Sequence, residues 1–202
     1  MPSLKQMSNI KYKPMKRLST SNGFTMLELM ITIAVIAILT GVAIPSFNIT
    51  LKNNRLVNKS NDIVTAMNFA RQTAIGRGVV TFVCHSNNAD TSTPTCDGGS
   101  SSDWNTGVII YSAPARTIVT GERDYVDGSD VLVQQFDFND DDEITITQAD
   151  NNDYVSFRSN GLLFDDSDEL IFTVCDNRTG ETGRMVRVSI AGKISTQETT
   201  CT

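Results

Sequence analysis

From Phe24 to Ile44 the chain reads FTMLELMITIAVIAILTGVAI, 21 residues with one charge, Glu28. As a helix rising about 1.5 Å per residue, this run is about 30 Å long, the thickness of a bilayer's hydrocarbon core. A secretory signal peptide usually has an apolar region of about 7–15 residues that ends at a small-residue cleavage site. Here the run is longer and Pro45 comes directly after it. Residues 1–23 carry Lys5, Lys11, Lys13, Lys16 and Arg17 and no acidic residue. The positive-inside rule keeps such a stretch in the cytoplasm and sends the chain beyond Pro45 across the membrane.

Glu28 needs its own account. A carboxylate at a bilayer centre costs roughly 2.5–3.5 kcal/mol on insertion scales and less near an interface, so intramembrane acids tend to be paired and functional. No basic residue lies between Phe24 and Ile44. Cleavage after Gly23 would place a new α-amino group on Phe24, one helical turn before Glu28. A helix N-terminus already favours a nearby carboxylate through its dipole. In an assembly, that carboxylate is expected to meet the amino terminus of a neighbouring helix, which offsets its desolvation.

GFTMLEL followed by about 20 apolar residues resembles the type IV prepilin (class III) signal. The resemblance implies cleavage after Gly23 by a membrane prepilin peptidase and methylation of the new N-terminal residue, Phe24. It implies that Glu28, at the fifth mature position, aligns the subunit during filament assembly. Pro45 matches the family's helix-kinking proline at the end of the apolar half.

Beyond Pro45 the helical pattern resumes. Leu56, Ile63, Met67, Ala70 and Ala74 recur at helical spacing, and Gly76 and Gly78 supply a stop. The expectation is one helix over about 24–76, half in lipid and half packed on a soluble domain. After Gly78 come β-branched and aromatic runs separated by turns: 79–84, 107–112, 131–138, 143–147, 154–159, 170–175 and 184–190. In the last run Val186, Val188 and Ile190 alternate with Met185, Arg187 and Ser189, which predicts one buried face. The fold class is α+β, a long helix packed on antiparallel sheet. The expected divisions are a leader at 1–23, the apolar half-helix at 24–46, its amphipathic half at 47–78 and a β-domain at 79–202.

Four cysteines, at 84, 96, 175 and 201, include no C-x-x-C pair and stand beside a single histidine, which argues against zinc. Their even count and wide spacing suit two disulfides in an oxidising compartment. Of three connectivities, Cys84–Cys96 closes a Gly/Ser/Thr/Asn-rich loop and Cys175–Cys201 ties down the C-terminus, and this pair is favoured.

The stretches AMNFARQTAIGRGVVTFVC, DWNTGVIIYS, VSFRSNGLL, FTVCDNRTG and RVSIAGKI, in that order, resemble the GspH/FimT-type minor pilins and pseudopilins. The implied function is that of a minor type IV pilin, a structural subunit of a pilus tip or initiation complex. Its implied partners are prepilin peptidase, other minor and major pilins and the inner membrane. The implied location is the inner membrane, single-pass with a periplasmic C-terminal domain, and later the extracellular pilus. The alternatives are a DNA-binding minor pilin for natural transformation and a minor pseudopilin of a type II secretion system.

Other chemistry is sparse. His85 has no nucleophile at a supporting spacing, and a P-loop, a dinucleotide fingerprint and H-E-x-x-H are all absent. A surface or loop histidine, no enzyme and no cofactor are the expectations. The acidic run 137–153 echoes calcium loops at Asp137, Asn139 and Asp141, but Asp142 replaces the glycine and Gln148 the final glutamate. For DNA, some FimT-type pilins use a G-R-x-R motif. Gly192-Lys193-Ile194-Ser195 matches it with one charge and lacks the bidentate guanidinium fork. Arg178, Arg184 and Arg187 lie nearby. The chain beyond Gly23 carries 12 basic against 23 acidic residues, a net of −11, which repels phosphates on average.

Overall fold

The computed structural model describes residues 23–96, 104–113, 125, 129–138, 143–149, 154–164, 169–178 and 180–201, the side chains of Val42 and Pro45 excepted. The chain divides into two compact units, 1–46 and 47–202. One helix, α1 (Met26–Arg77), runs from the first into the second.

In the first unit the helix is apolar on every side. Phe24, Met26, Leu27, Leu29 and Ile31 are all exposed, as are Ile36, Ile38 and Leu39. Its most apolar stretch has mean hydropathy 2.5 and none of it is buried within the chain. A helix apolar all round is stable only where lipid or other helices cover it. By length and composition it is able to cross a membrane.

In the second unit α1 becomes one-sided. Leu56, Ile63, Ala66, Met67, Ala70 and Ala74 are buried in the core. Three of these are alanines one turn apart, so the helix backbone lies close to what it packs on. The helix ends as the glycine signal predicts, one residue later than expected. Gly78 has φ +68°, and its amide donates to the Ala74 carbonyl at 2.9 Å. That left-handed cap is one that glycine adopts without strain.

Among the described residues, eight strands form two antiparallel four-stranded sheets. They are β1 (Thr81–His85), β2 (Gly107–Ser112), β3 (Val131–Asp137), β4 (Ile144–Gln148), β5 (Tyr154–Phe157), β6 (Leu170–Asp176), β7 (Thr182–Val188) and β8 (Ile194–Thr200). The first sheet has the order β3-β2-β1-β5 and the second β4-β6-β7-β8. One core holds the α1 stripe together with Val83, Val108, Ile110, Val155 and Phe157 of the first sheet and Ile146, Phe172, Val174, Val186 and Val188 of the second. The first sheet buries its other face as well. There Phe82, Cys84, Ile109 and Tyr111 pack with Ala89 and Cys96 of the loop after β1, and Phe82 stacks on Tyr111 at 5.1 Å. With both faces covered, β1 and β2 read as unbroken buried runs instead of alternating ones.

Three details depart from expectation. Strand β8, ISTQETT, lies outside the seven expected runs; it is polar and mostly exposed, so no apolar alternation marks it. Ile190 does not continue the buried face of β7. It is 49% exposed, because β7 ends at Val188 and the chain turns over Ser189–Lys193. His85 is not a surface residue. It is 1% exposed at the end of β1, on the face that Val83 presents to the core, with its ring 6.1 Å from Trp104.

Candidate assembly and processing site

Gly23 and Phe24 are exposed and precede the helix in non-helical backbone. Thr25 is the N-cap of α1 and Glu28 the third helical residue. The Thr25 amide and hydroxyl each donate to Glu28 Oε2 at 3.3 Å, and the Glu28 amide donates to Thr25 Oγ1 at 3.2 Å. This is a capping box: two orphan amides of the first turn are satisfied reciprocally, with the carboxylate at the positive end of the helix dipole. The signal stands in the sequence as Thr-Met-Leu-Glu ahead of an apolar run, and the expectation about Glu28 passed over it. Pro45 falls within the bounds of α1, and its side chain lies outside the described residues.

Both disulfides form in the favoured pairing, Cys84–Cys96 with Cα atoms 5.6 Å apart and Cys175–Cys201 at 5.8 Å. The first fastens the loop that covers the outer face of the first sheet. The second runs from β6 across β7 to the residue beyond β8. Gly183 of β7 lies under it: a Cβ there would stand 2.5 Å from Cys201 Sγ and 2.8 Å from the Val174 carbonyl oxygen.

The four cations considered for DNA do not form one patch. Arg178 Nη2 lies 2.6 Å from Asp176, a carboxylate only 4% exposed, and donates to Asn53 of α1 at 2.9 Å. Burial pushes the Asp176 pKa up, but hydrogen bonds from Arg178 and the charges of Arg178 and Lys52 outweigh it and leave it below the usual carboxylate range. Arg184 pairs with Glu198 at 3.3 Å and Arg187 with Glu169 at 2.7 Å. Separated by three positions on one strand, Arg184 and Arg187 leave opposite faces of the sheet. Lys193 sits exposed in the β7–β8 turn. The glycine beside it has a packing reason: Gly192 has φ +72°, and a Cβ there would collide with the Gly161 carbonyl and Arg71.

Of the calcium candidates, Asp137 is exposed at the end of β3, while Asn139 and Asp141 lie outside the described residues. The described flanks of that acidic stretch are held by cations of α1. Lys59 donates to the Phe138 carbonyl, and Arg55 and Lys52 lie 3.4 and 3.9 Å from Glu143. Among the described residues no three potential ligands gather into a metal site.

The family model described as a prokaryotic N-terminal methylation motif matches residues 18–44. That described as type II transport protein GspH matches residues 59–192, well over half of the chain. The fold is similar to that of the type IV minor pilin FimU of Pseudomonas aeruginosa in a P21 crystal. The TM-score is 0.52 at 18% sequence identity, covering 72% of this chain and 90% of that one. A P65 crystal of FimU gives a TM-score of 0.45 at 17% identity, covering 69% and 90%. No curated protein matches the chain.

Proposed function

The chain belongs to the type II transport protein GspH family and opens with an N-terminal methylation motif, and from that premise we propose that it is a minor type IV pilin. The leader up to Gly23 is removed by a prepilin peptidase and Phe24 becomes the methylated N-terminus. The apolar part of α1 anchors the subunit in the inner membrane and then enters a filament core among the helices of other pilins. The β-domain, delivered to the periplasm, contacts other subunits of a tip or initiation complex. No step is catalytic for this chain; its work is packing and pairing.

The observation that supports this reading best is the junction at Gly23–Glu28. An exposed, non-helical Gly-Phe bond stands just ahead of a capped helix whose opening stretch is apolar but for Glu28. The test is N-terminal sequencing with mass analysis of the protein isolated from membranes or filaments. The expected terminus is methylated phenylalanine at position 24. A chain that still begins at Met1 overturns the reading.

The family's description favours one alternative, a minor pseudopilin of a type II secretion machine. Deleting the gene separates the two: loss of surface pili with normal protein secretion supports the pilin, and the reverse supports the pseudopilin.

A further inference from the structure

The row of β7 that turns toward the core runs Val188, Val186, Arg184 and Thr182, and Glu198 of β8 stands opposite Arg184. The two valines are buried in the core, but Arg184 is half-buried and Thr182 exposed. Where the apolar row gives way to this charged pair, α1 and the sheet leave a cleft of about 150 Å³ lined by Asn53, Leu56, Thr182, Arg184 and Glu198. A volume of that order admits a benzene-sized molecule, so the cleft takes a small polar group and nothing larger.

The lining selects the charge of that group. Arg184 Nη1 lies 3.3 Å from Glu198 Oε1. With the two so close, a simple anion is repelled by Glu198 and a simple cation by Arg184, whereas a molecule carrying both charges a few bonds apart satisfies each. Asn53 is set in advance. Its Oδ1 accepts from Arg178 at 2.9 Å, and Arg178 is itself held by Asp176 at 2.6 Å. The amide nitrogen of Asn53 is thereby turned away from Arg178 as a donor. Arg184, Asn53 and the Thr182 hydroxyl are three donors for an anionic group, and Glu198 is an acceptor for a cationic one.

The approach to the cleft is apolar. Ile49, Asn53 and Leu56 are spaced by four and then three residues and share one face of α1. Ile49 is exposed, as are Phe47 and Leu51. No charged residue occurs in the 23 positions between Glu28 and Lys52. As helix that length is about 35 Å, more than the roughly 30 Å of a bilayer's hydrocarbon and less than the roughly 40–45 Å that includes its headgroups. Lys52 and Asn53 thus fall at headgroup level by chain length alone.

We propose that this cleft binds the headgroup of a membrane phospholipid that carries both a phosphate and an ammonium, the phosphoethanolamine type. The phosphate is taken by Arg184, Asn53 and Thr182, the ammonium by Glu198, and the acyl chains run back along Ile49. The inference rests on the membrane anchoring of the pilin reading and not on cleavage at Gly23.

The test mixes the full-length chain in detergent with equal amounts of phosphatidylethanolamine and phosphatidylglycerol, and native mass spectrometry counts the lipid each chain retains. One phosphatidylethanolamine is expected, favoured about tenfold over phosphatidylglycerol, the scale of one charge-assisted bond. Arg184→Ala and Glu198→Gln are each expected to lower its retention about tenfold, while Lys193→Ala, in the turn at the other end of β7, leaves it unchanged. Glu198→Gln is also expected to narrow the preference over phosphatidylglycerol, because it removes the charge that repels a simple anion. Thermal denaturation and mapping of both disulfides report that each variant is folded. Soluble phosphoethanolamine, which has the same charges and no acyl chains, is expected to displace the lipid only in large excess; displacement at equal concentration assigns the cleft to a free small molecule and overturns the lipid assignment. Equal retention of the two lipids, or undiminished retention in both folded variants, overturns the proposal. A mature chain beginning at Phe24 without headgroup preference counts against this inference alone, and a chain beginning at Met1 that keeps the preference counts against the processing alone.

Discussion

Thr25 and Glu28 close on each other at the first turn of α1, amide to carboxylate at 3.3 Å and carboxylate-bearing residue back to hydroxyl at 3.2 Å. The acid in the apolar run thus has a local partner before any neighbour arrives. The observed role, capping its own helix, and the proposed one, meeting another subunit's amino group, fall on one carboxylate. Glutamine separates them, because it serves at the third position of a capping box but carries no charge. Glu28→Gln is expected to be cleaved normally yet to fail in filament incorporation as Glu28→Ala does, read by immunoblot of sheared filaments. Normal incorporation of Glu28→Gln would mean that capping, not charge, is what assembly needs.

Processing is expected to depend on the residue before the cut. Gly23→Ala places a side chain at the bond ahead of Phe24, and the precursor is expected to accumulate uncut. A band of mature size from that variant would count against the leader assignment.

Gly183→Ala is expected to destabilise the β-domain by about 1–3 kcal/mol, the usual cost of forcing atoms into filled space. The added methyl would press on Cys201 Sγ and on the Val174 carbonyl, and backbone gives way poorly. Thermal denaturation measures the loss, and alkylation of free thiols reports whether Cys175–Cys201 still closes. A transition temperature equal to that of the parent, with no free thiol, would show that the strands separate without strain.

Asp176 and Asp62 are expected to set opposite slopes of stability against pH. The folded pKa of Asp176 is lowered, so its contribution is present above the ordinary value of about 3.9 and is lost as pH falls through the folded one. Burial raises the pKa of Asp62 against the pull of Lys59, so its contribution is present below about 3.9 and is lost as pH rises through the folded value. Denaturant titrations at pH 3 to 7 are expected to show Asp176→Asn flattening the acid loss and Asp62→Asn gaining at neutral pH. Arg178→Ala leaves the enclosed Asp176 carboxylate without its donor and is expected to cost about 2 kcal/mol at pH 7.

His85 lies in the core with neither ring nitrogen hydrogen-bonded among the described residues. Replacing an unsatisfied buried polar group by an apolar one of similar volume is neutral or stabilising. His85→Leu is expected to hold or raise the melting temperature. A fall of several degrees would indicate that the imidazole has a partner worth keeping.

Much of this architecture could be read without coordinates, because its signals are local. The apolar run, the stripe from Leu56 to Ala74 and the closing Gly78 are each set by periodicity or by one residue's backbone freedom, and α1 matches them closely. Strands β2 and β6 announce themselves by β-branched composition. What composition could not mark was β8, whose polar residues are held in place by its ladder to β7 and by a disulfide at its end. Ile190 was misplaced for the converse reason: its alternation fits a strand, but the turn through Gly192 had already ended it.

Sequence by itself determined the apolar run that opens α1 and its one charge, since these are set by composition and length alone. It also supplied the cysteines and a workable pairing. Only the tertiary structure decided which charges were free to act. Arg178, Arg184 and Arg187 look like a basic cluster along the chain, yet each lies against a carboxylate: Asp176 two residues back, Glu198 on the neighbouring strand, and Glu169 just ahead of β6. The same holds for burial: β1 ends in a histidine that its own sequence would place in water, and packing against Trp104 places it in the core. Chain spacing specifies the direction of a side chain relative to its own element, whereas what that side chain meets depends on which distant element the fold sets beside it.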